Sequence, residues 1–193
     1  MTDSVTFKGK QYFVEREAET GRSRLFRYHE GISDIEEIED LADLTSLQSL
    51  ILCENTIKEI SGLETLTSLQ ELYLNKNQIE EIKGLDNLTK LRRLGLYRNK
   101  ISEIKGLETL TNLEYLNLSR NQISELKELE TLINLKELDL TINQITEIKG
   151  LEKLANLERI SLRVNPIKQE HQHLLSRTWF HGQKFVKFCQ EQS

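Results

Sequence analysis

Leu69-x-x-Leu72-x-Leu74-x-x-Asn77-x-Ile79-x-x-Ile82-x-Gly84-Leu85-x-x-Leu88 decides the fold, because the chain says it again and again. The asparagine returns every 22 residues, at Asn55, Asn77, Asn99, Asn121, Asn143 and Asn165. Three residues before it stands Leu52, Leu74, Leu96, Leu118, Leu140 or Leu162, and two after it an isoleucine, from Ile57 to Ile167. Self-similarity at a fixed period of this length marks a solenoid, in which each unit buries its apolar face against the next.

The columns extend outward without an insertion. Leu47, Leu69, Leu91, Leu113, Leu135 and Leu157 form one, and Leu50, Leu72, Leu94, Leu116, Leu138 and Ile160 another. Upstream, Ile35, Ile38, Leu41 and Leu44 keep the phase, with Ser33 where the asparagine is expected. The reading is one degenerate turn and about six full ones. In each, the L-x-L pair is a short strand with leucines inward and the residues between them outward, and successive strands pair in parallel. The asparagine bends the chain out of the strand. Its buried amide can bond backbone of its own and the neighbouring turn, because leaving it unpaired costs about 1–3 kcal/mol. Gly62, Gly84, Gly106 and Gly150 fall where the far side turns tightly, and Glu128 breaks that column, which predicts a slightly different turn there.

The L-x-x-L-x-L-x-x-N core with the I-x-x-I-x-x-L-x-x-L half resembles the SDS22-like subclass of leucine-rich repeat proteins over about residues 33–167; internalin-type repeats, found on proteins secreted to the bacterial surface, are similar. The resemblance implies an α/β solenoid: a right-handed horseshoe with a parallel concave sheet and a short helical or 3₁₀ convex side. It implies a binding scaffold and names no partner.

The ends are not repeats and are expected to be caps, at 1–32 and 168–193. Val5-Thr6-Phe7 and Tyr12-Phe13-Val14 around Lys8-Gly9-Lys10 read as a hairpin, and Leu25-Phe26-Arg27-Tyr28 as a strand shielding the first turn. After Asn165-Pro166-Ile167 a helical stretch carries Leu174, Leu175, Trp179, Phe180, Phe185, Val186 and Phe188, with Gly182 as a break between two pieces. It reads as a lid on the last turn, or as a partner site at Trp179 and Phe180. The opening MTDSVTFKGKQYFVERE has no apolar signal-peptide core, and no apolar run is long enough to span a membrane. Two cysteines, Cys53 on an outward strand position and Cys189, predict free thiols in a reducing, cytoplasmic setting.

Catalysis is not indicated. His171 and His173 lie two apart, which on a helix points them apart, and no cysteine stands at metal-ligand spacing, so neither metal nor cofactor is expected. Glu59, Glu81, Glu103, Glu125 and Glu147 recur at one position, and Lys83, Lys105, Lys127 and Lys149 stand two residues after the last four, a solvated face with cross-turn pairing. The formal net charge is −5, and residues 1–43 carry 6 basic and 11 acidic groups, which repels nucleic acid.

What remains is the concave sheet. Its outward residues read Ser49, Ile51, Cys53; Glu71, Tyr73, Asn75; Arg93, Gly95, Tyr97; Tyr115, Asn117, Ser119; Glu137, Asp139, Thr141; and Arg159, Ser161, Arg163, with Lys76, Arg98 and Arg120 just past the strands. Tyrosine and arginine are enriched at interface hot spots, although tyrosine is also simply a good strand residue. Gly95 is expected to leave a dent for a partner side chain. The candidate is a protein-binding groove on a monomer, formed by Tyr73, Asn75, Arg93, Gly95, Tyr97, Arg98, Tyr115, Asn117, Arg120, Asp139 and Arg163, possible regulation of an enzyme included. A self-associating assembly unit, using a sheet edge or the C-terminal aromatics, is the alternative.

Overall fold

Each L-x-L pair does form a three-residue strand. The computed structural model describes residues 3–175 and 180–192. The strands are β1 (Ser4–Phe7), β2 (Lys10–Phe13), β3 (Glu15–Arg16), β4 (Ser23–Phe26), β5 (Ser49–Ile51), β6 (Glu71–Tyr73), β7 (Arg93–Gly95), β8 (Tyr115–Asn117), β9 (Glu137–Asp139), β10 (Arg159–Ser161) and β11 (Phe180–His181). One α-helix, α1, spans Gly182–Gln192. Strands β4 to β10 lie side by side in parallel, and β3 and β11 close the two edges antiparallel. Hairpin β1–β2 stands apart as a second, small sheet.

From β5 to β10 the register advances 22 residues per strand, pairing Leu50 with Leu72 and Leu72 with Leu94. The leucine and isoleucine columns are buried in one continuous core. The asparagine column is a ladder. Asn99 Nδ2 donates to the carbonyls of Leu74 and Leu96, both at 3.0 Å, and its Oδ1 accepts from Ile79 N–H at 3.0 Å. Asn77, Asn121, Asn143 and Asn165 repeat the pattern, and Asn55 makes it against the N-terminal cap through Arg27, Glu30 and Ile32.

On the far side, the full turns carry no continuous helix. Leucines every third residue form successive i→i+3 turns, Leu66 N–H to Leu63 C=O at 3.0 Å and Leu69 N–H to Leu66 C=O at 2.9 Å, and the later turns repeat this. A three-residue spacing matches the 3₁₀ period, which aligns side chains poorly beyond one turn. Among the described residues, 3₁₀ segments form only at Ile35–Glu37, Leu41–Asp43 and Gln169–Leu175. The turn at Glu128 is not set apart by its φ: at 56° the residue adopts the left-handed conformation that Gly84 adopts at 70°. The Glu–Lys columns pair across turns at Lys83–Glu59 (2.6 Å) and Lys105–Glu81 (3.5 Å), but within a turn at Lys127–Glu125 and Lys149–Glu147.

The first turn corrects the phase read from sequence. Leu25 pairs with Leu50, an offset of 25 residues, so Glu30 rather than Ser33 stands opposite Asn55 and donates its N–H to that amide. The three additional residues fall between Ile35 and Leu41, where the N-terminal hairpin docks: Thr6 and Glu39 exchange backbone hydrogen bonds of 3.1 and 2.8 Å. Tyr12 of the hairpin lies 3.7 Å below the Arg27 guanidinium, whose pKa burial lowers.

The C-terminal segment does carry two helical pieces, the 3₁₀ segment Gln169–Leu175 and α1, but the two-residue strand β11 precedes α1, and Gly182 begins that helix. Phe180–His181 pairs with β10, and the Gly182 N–H donates to Glu158 C=O at 2.8 Å. A Cβ at 182 would sit 2.4 Å from the Leu157 carbonyl oxygen, so glycine lets the two backbones touch. Phe185, Val186 and Cys189 then cover the last turn. Trp179 lies outside the described residues. Both cysteines are free and buried.

Candidate partner-binding site on the parallel sheet

Strand alternation places the predicted residues on one face, but they do not all have the same freedom. The centre is a stack across β6, β7 and β8. Arg93 Nε donates to the Tyr73 hydroxyl at 2.9 Å, and the same guanidinium lies 4.5 Å from the centre of the Tyr115 ring. Arg93 is exposed and the two tyrosines half-buried. Desolvation works against the Arg93 charge, but the Tyr73 hydrogen bond and the nearby oxygens outweigh it and raise its pKa; burial pushes the Tyr115 phenol up.

The dent expected at Gly95 is filled by the chain itself. A Cβ there would stand 2.6 Å from Tyr73 Cδ1 and 2.9 Å from Asn75 Oδ1, so Gly95 is buried and serves to let Tyr73 lie across the neighbouring strand. Asn75 and Asn117 are engaged internally. Asn75 accepts from Tyr97 N–H at 2.9 Å and donates to Cys53 Sγ at 3.5 Å. Asn117 accepts from the Ser119 N–H and hydroxyl and donates to Tyr115 Oη at 3.2 Å. Asp139 accepts from Thr141 N–H at 3.0 Å. Ser49, Ile51, Cys53, Ser119 and Ser161 face outward by alternation yet are buried, because larger neighbours close over them. Burial also raises the Cys53 pKa.

Tyr97 is half-buried, and Arg98, Arg120 and Arg163 are exposed. Arg22, Arg92 and Arg159 are neutralised by Glu71, Glu114 and Glu137 of adjacent strands or flanks. Arg93, Arg98 and Arg120 form no ion pair among the described residues. Lys76 differs: Glu54 holds it at 2.9 Å, and that contact lowers the Glu54 pKa.

Three features escaped the sequence reading. Phe26 pairs with Ile51, and Tyr28 follows two residues on, 48% exposed, so the cap strand adds two aromatics to the N-terminal end of this face. The alternation Arg24-Leu25-Phe26-Arg27-Tyr28 carried that signal. Second, every residue just before a ladder asparagine is left-handed: Glu54, Lys76, Arg98, Arg120, Ile142 and Val164 have φ of 55–59°. This kink turns the chain from strand to ladder and lines these side chains along the margin of the sheet. Third, Asn112, Asn134 and Asn156 form a flank ladder, donating to Thr89, Thr111 and Ile133 carbonyls at 2.8–2.9 Å; their 22-residue spacing was visible in sequence.

The family pattern described as leucine-rich repeats (2 copies) matches residues 45–87, 89–131 and 133–171. This chain is a leucine-rich repeat protein. The repeats resemble those of an internalin, inlF, from Listeria monocytogenes at 35% identity, covering 76% of this chain and 42% of that one with a TM-score of 0.69. A leucine-rich repeat protein of Leptospira interrogans is 32% identical over 78% of this chain and 38% of its own, with a TM-score of 0.64. TLR13, solved as a complex with ssRNA13, is 28% identical over 80% of this chain and 23% of its own, with a TM-score of 0.69. This leucine-rich repeat chain thus spans less than half of each of these neighbours. No curated protein matches it at a significant level. Leucine-rich repeat proteins are typically interaction scaffolds and generally not catalysts.

Proposed function

We propose that this chain is a non-catalytic protein–protein interaction module that takes its partner on the outward face of the parallel sheet, around Tyr73, Arg93 and Tyr115. One observation carries the reading: the three side chains are already assembled, with Arg93 held by the Tyr73 hydroxyl and the Tyr115 ring. Pre-ordered aromatic and arginine groups lose little side-chain entropy on binding, and they are the residue types that dominate interface energies. Arg93 also lacks a carboxylate of its own, which leaves its charge available.

The 22-residue period with its I-x-x-I-x-x-L-x-x-L half supports placement in the SDS22-like subclass. A regulated enzyme is one kind of partner this reading admits. The two free, buried thiols support a reducing, cytoplasmic setting, and antiparallel strands over both edges of the sheet support a monomer.

The test is affinity capture from the source cell with the wild-type chain and with Tyr73→Ala/Arg93→Ala/Tyr115→Ala. The expected result is a set of proteins lost with the triple variant while its circular dichroism is unchanged. Recovery of the same proteins by a folded triple variant would sink this site.

A further inference from the structure

We propose that the margin of the sheet formed by Arg98, Arg120, Ile142 and Val164 docks an extended acidic segment of a partner protein, with carboxylates on the two arginines and aliphatic side chains over the two apolar residues. This deepens the reading above and rests on it.

The four residues hold equivalent places in consecutive turns, one per turn and 22 apart. Strands about 4.8 Å apart and an extended rise of about 3.3 Å per residue let a segment of roughly five residues cross all four. The cationic half is fixed by charge. Arg98 and Arg120 are exposed and form no ion pair among the described residues, whereas Lys76, one turn earlier in the same row, is held by Glu54 at 2.9 Å. The strip of available positive charge therefore starts at Arg98. Two planar guanidiniums on adjacent turns match carboxylates, which arginine binds through two parallel hydrogen bonds.

The apolar half is fixed by strain. Earlier residues in the row are unbranched, but Ile142 and Val164 are β-branched at φ 57° and 56°. Such a residue is a true outlier in the left-handed region. Val164 is moreover 67% exposed, so its side chain gives the isolated fold little packing in exchange for that strain. Strained positions persist where function retains them, and an aliphatic pair, Val164 exposed and Ile142 half-buried, beside two available arginines is suited to a segment that is acidic and then aliphatic. A nucleic-acid strand fits less well, because the formal charge of the chain is −5 and half of the strip presents nothing to a phosphate.

The experiment selects a random dodecapeptide phage library on the full chain, then titrates synthetic copies of the enriched peptides by fluorescence anisotropy, with single-stranded oligouridylate as a second probe. The expected outcome is peptides carrying acidic residues next to aliphatic ones. Their affinity should fall at least about tenfold in Arg98→Glu/Arg120→Glu, where like charges now meet. It should fall at least about threefold in Val164→Gly, which removes the apolar contact and keeps the left-handed backbone. Peptides without acidic residues, equal binding to the double arginine variant, no enrichment over an unrelated repeat protein, or displacement by oligouridylate would each overturn the proposal. If peptide binding is unchanged in the double arginine variant but lost in Tyr73→Ala/Arg93→Ala/Tyr115→Ala, the wider sheet-face reading survives and this one falls. Peptides indifferent to both variants sink both.

Discussion

Val164 holds a φ of 56° with two methyl groups on its Cβ and 67% of its surface in water. In the left-handed region the Cβ crowds the following carbonyl oxygen, which costs a non-glycine residue about 1–2 kcal/mol. Asparagine tolerates that region through its short polar side chain, so Val164→Asn is expected to stabilise the chain by about 0.5–1 kcal/mol. A rise in the midpoint of urea unfolding at constant slope would register it; an unchanged midpoint would mean the strain is relieved elsewhere. Gly95 shows the opposite relation between residue and neighbour. Its backbone is ordinary, and what it supplies is space, because Tyr73 Cδ1 lies 2.6 Å from where a Cβ would be. An isolated glycine in a strand pattern does signal a close approach. Whether the approaching group belongs to the chain or to a partner depends on a rotamer of the adjacent strand, and so Tyr73, not a foreign side chain, occupies the dent.

The ladder works one element at a time, each asparagine joining its own turn to the one before. Replacing Asn99 by alanine orphans the buried N–H of Ile79 and takes one of two amide donors from each of the Leu74 and Leu96 carbonyls, which Asn77 and Asn121 still reach. The expected loss is about 3 kcal/mol, since an orphaned buried group costs about 1–3 kcal/mol and two further hydrogen bonds are lost with it. Asn165 makes the corresponding bonds but is only half-buried, so water can replace it, and Asn165→Ala is expected to cost about half as much. Denaturant midpoints of the two variants decide the matter; equal losses would show that burial does not set the cost. The column was legible because one residue type recurs at one spacing, and local periodicity is what a strand-and-turn unit writes into sequence. The 25-residue step from Leu25 to Leu50 was not legible in that way. Its additional residues exist to meet Thr6 of the hairpin through Glu39, a contact between segments with no shared pattern. The Tyr73–Arg93–Tyr115 stack lay between: alternation placed all three on one face, while the hydrogen bond and ring contact that join them belong to side-chain geometry.

At the scale of the molecule, a solenoid is a line of units, each leaning only on its neighbours, so the ends govern where unfolding starts. The hairpin and β3 hold one end, and β11 with α1 the other. The second closure was the least legible part of the chain, because a two-residue strand carries almost no propensity of its own and forms only where β10 offers an edge. It depends on Gly182. An added Cβ would lie 2.4 Å from the Leu157 oxygen and 2.7 Å from its carbonyl carbon, and backbone cannot swing aside as a side-chain tip can. Gly182→Ala is therefore expected to push the cap off the last turn, weakening the 2.8 Å bond to Glu158 and the pairing of His181 with Arg159. Two measurements follow the damage along the line. Amide hydrogen exchange should speed up in β10 and stay unchanged in β7 and β8 at the middle of the array. Cys189, whose thiol burial pushes up to about 11, should begin to react with a thiol reagent at neutral pH as it loses its cover, while Cys53 stays protected. Faster exchange throughout the sheet would mean that the array opens as one cooperative block, and exchange unchanged in β10 would mean that the cap contributes nothing to the end it covers.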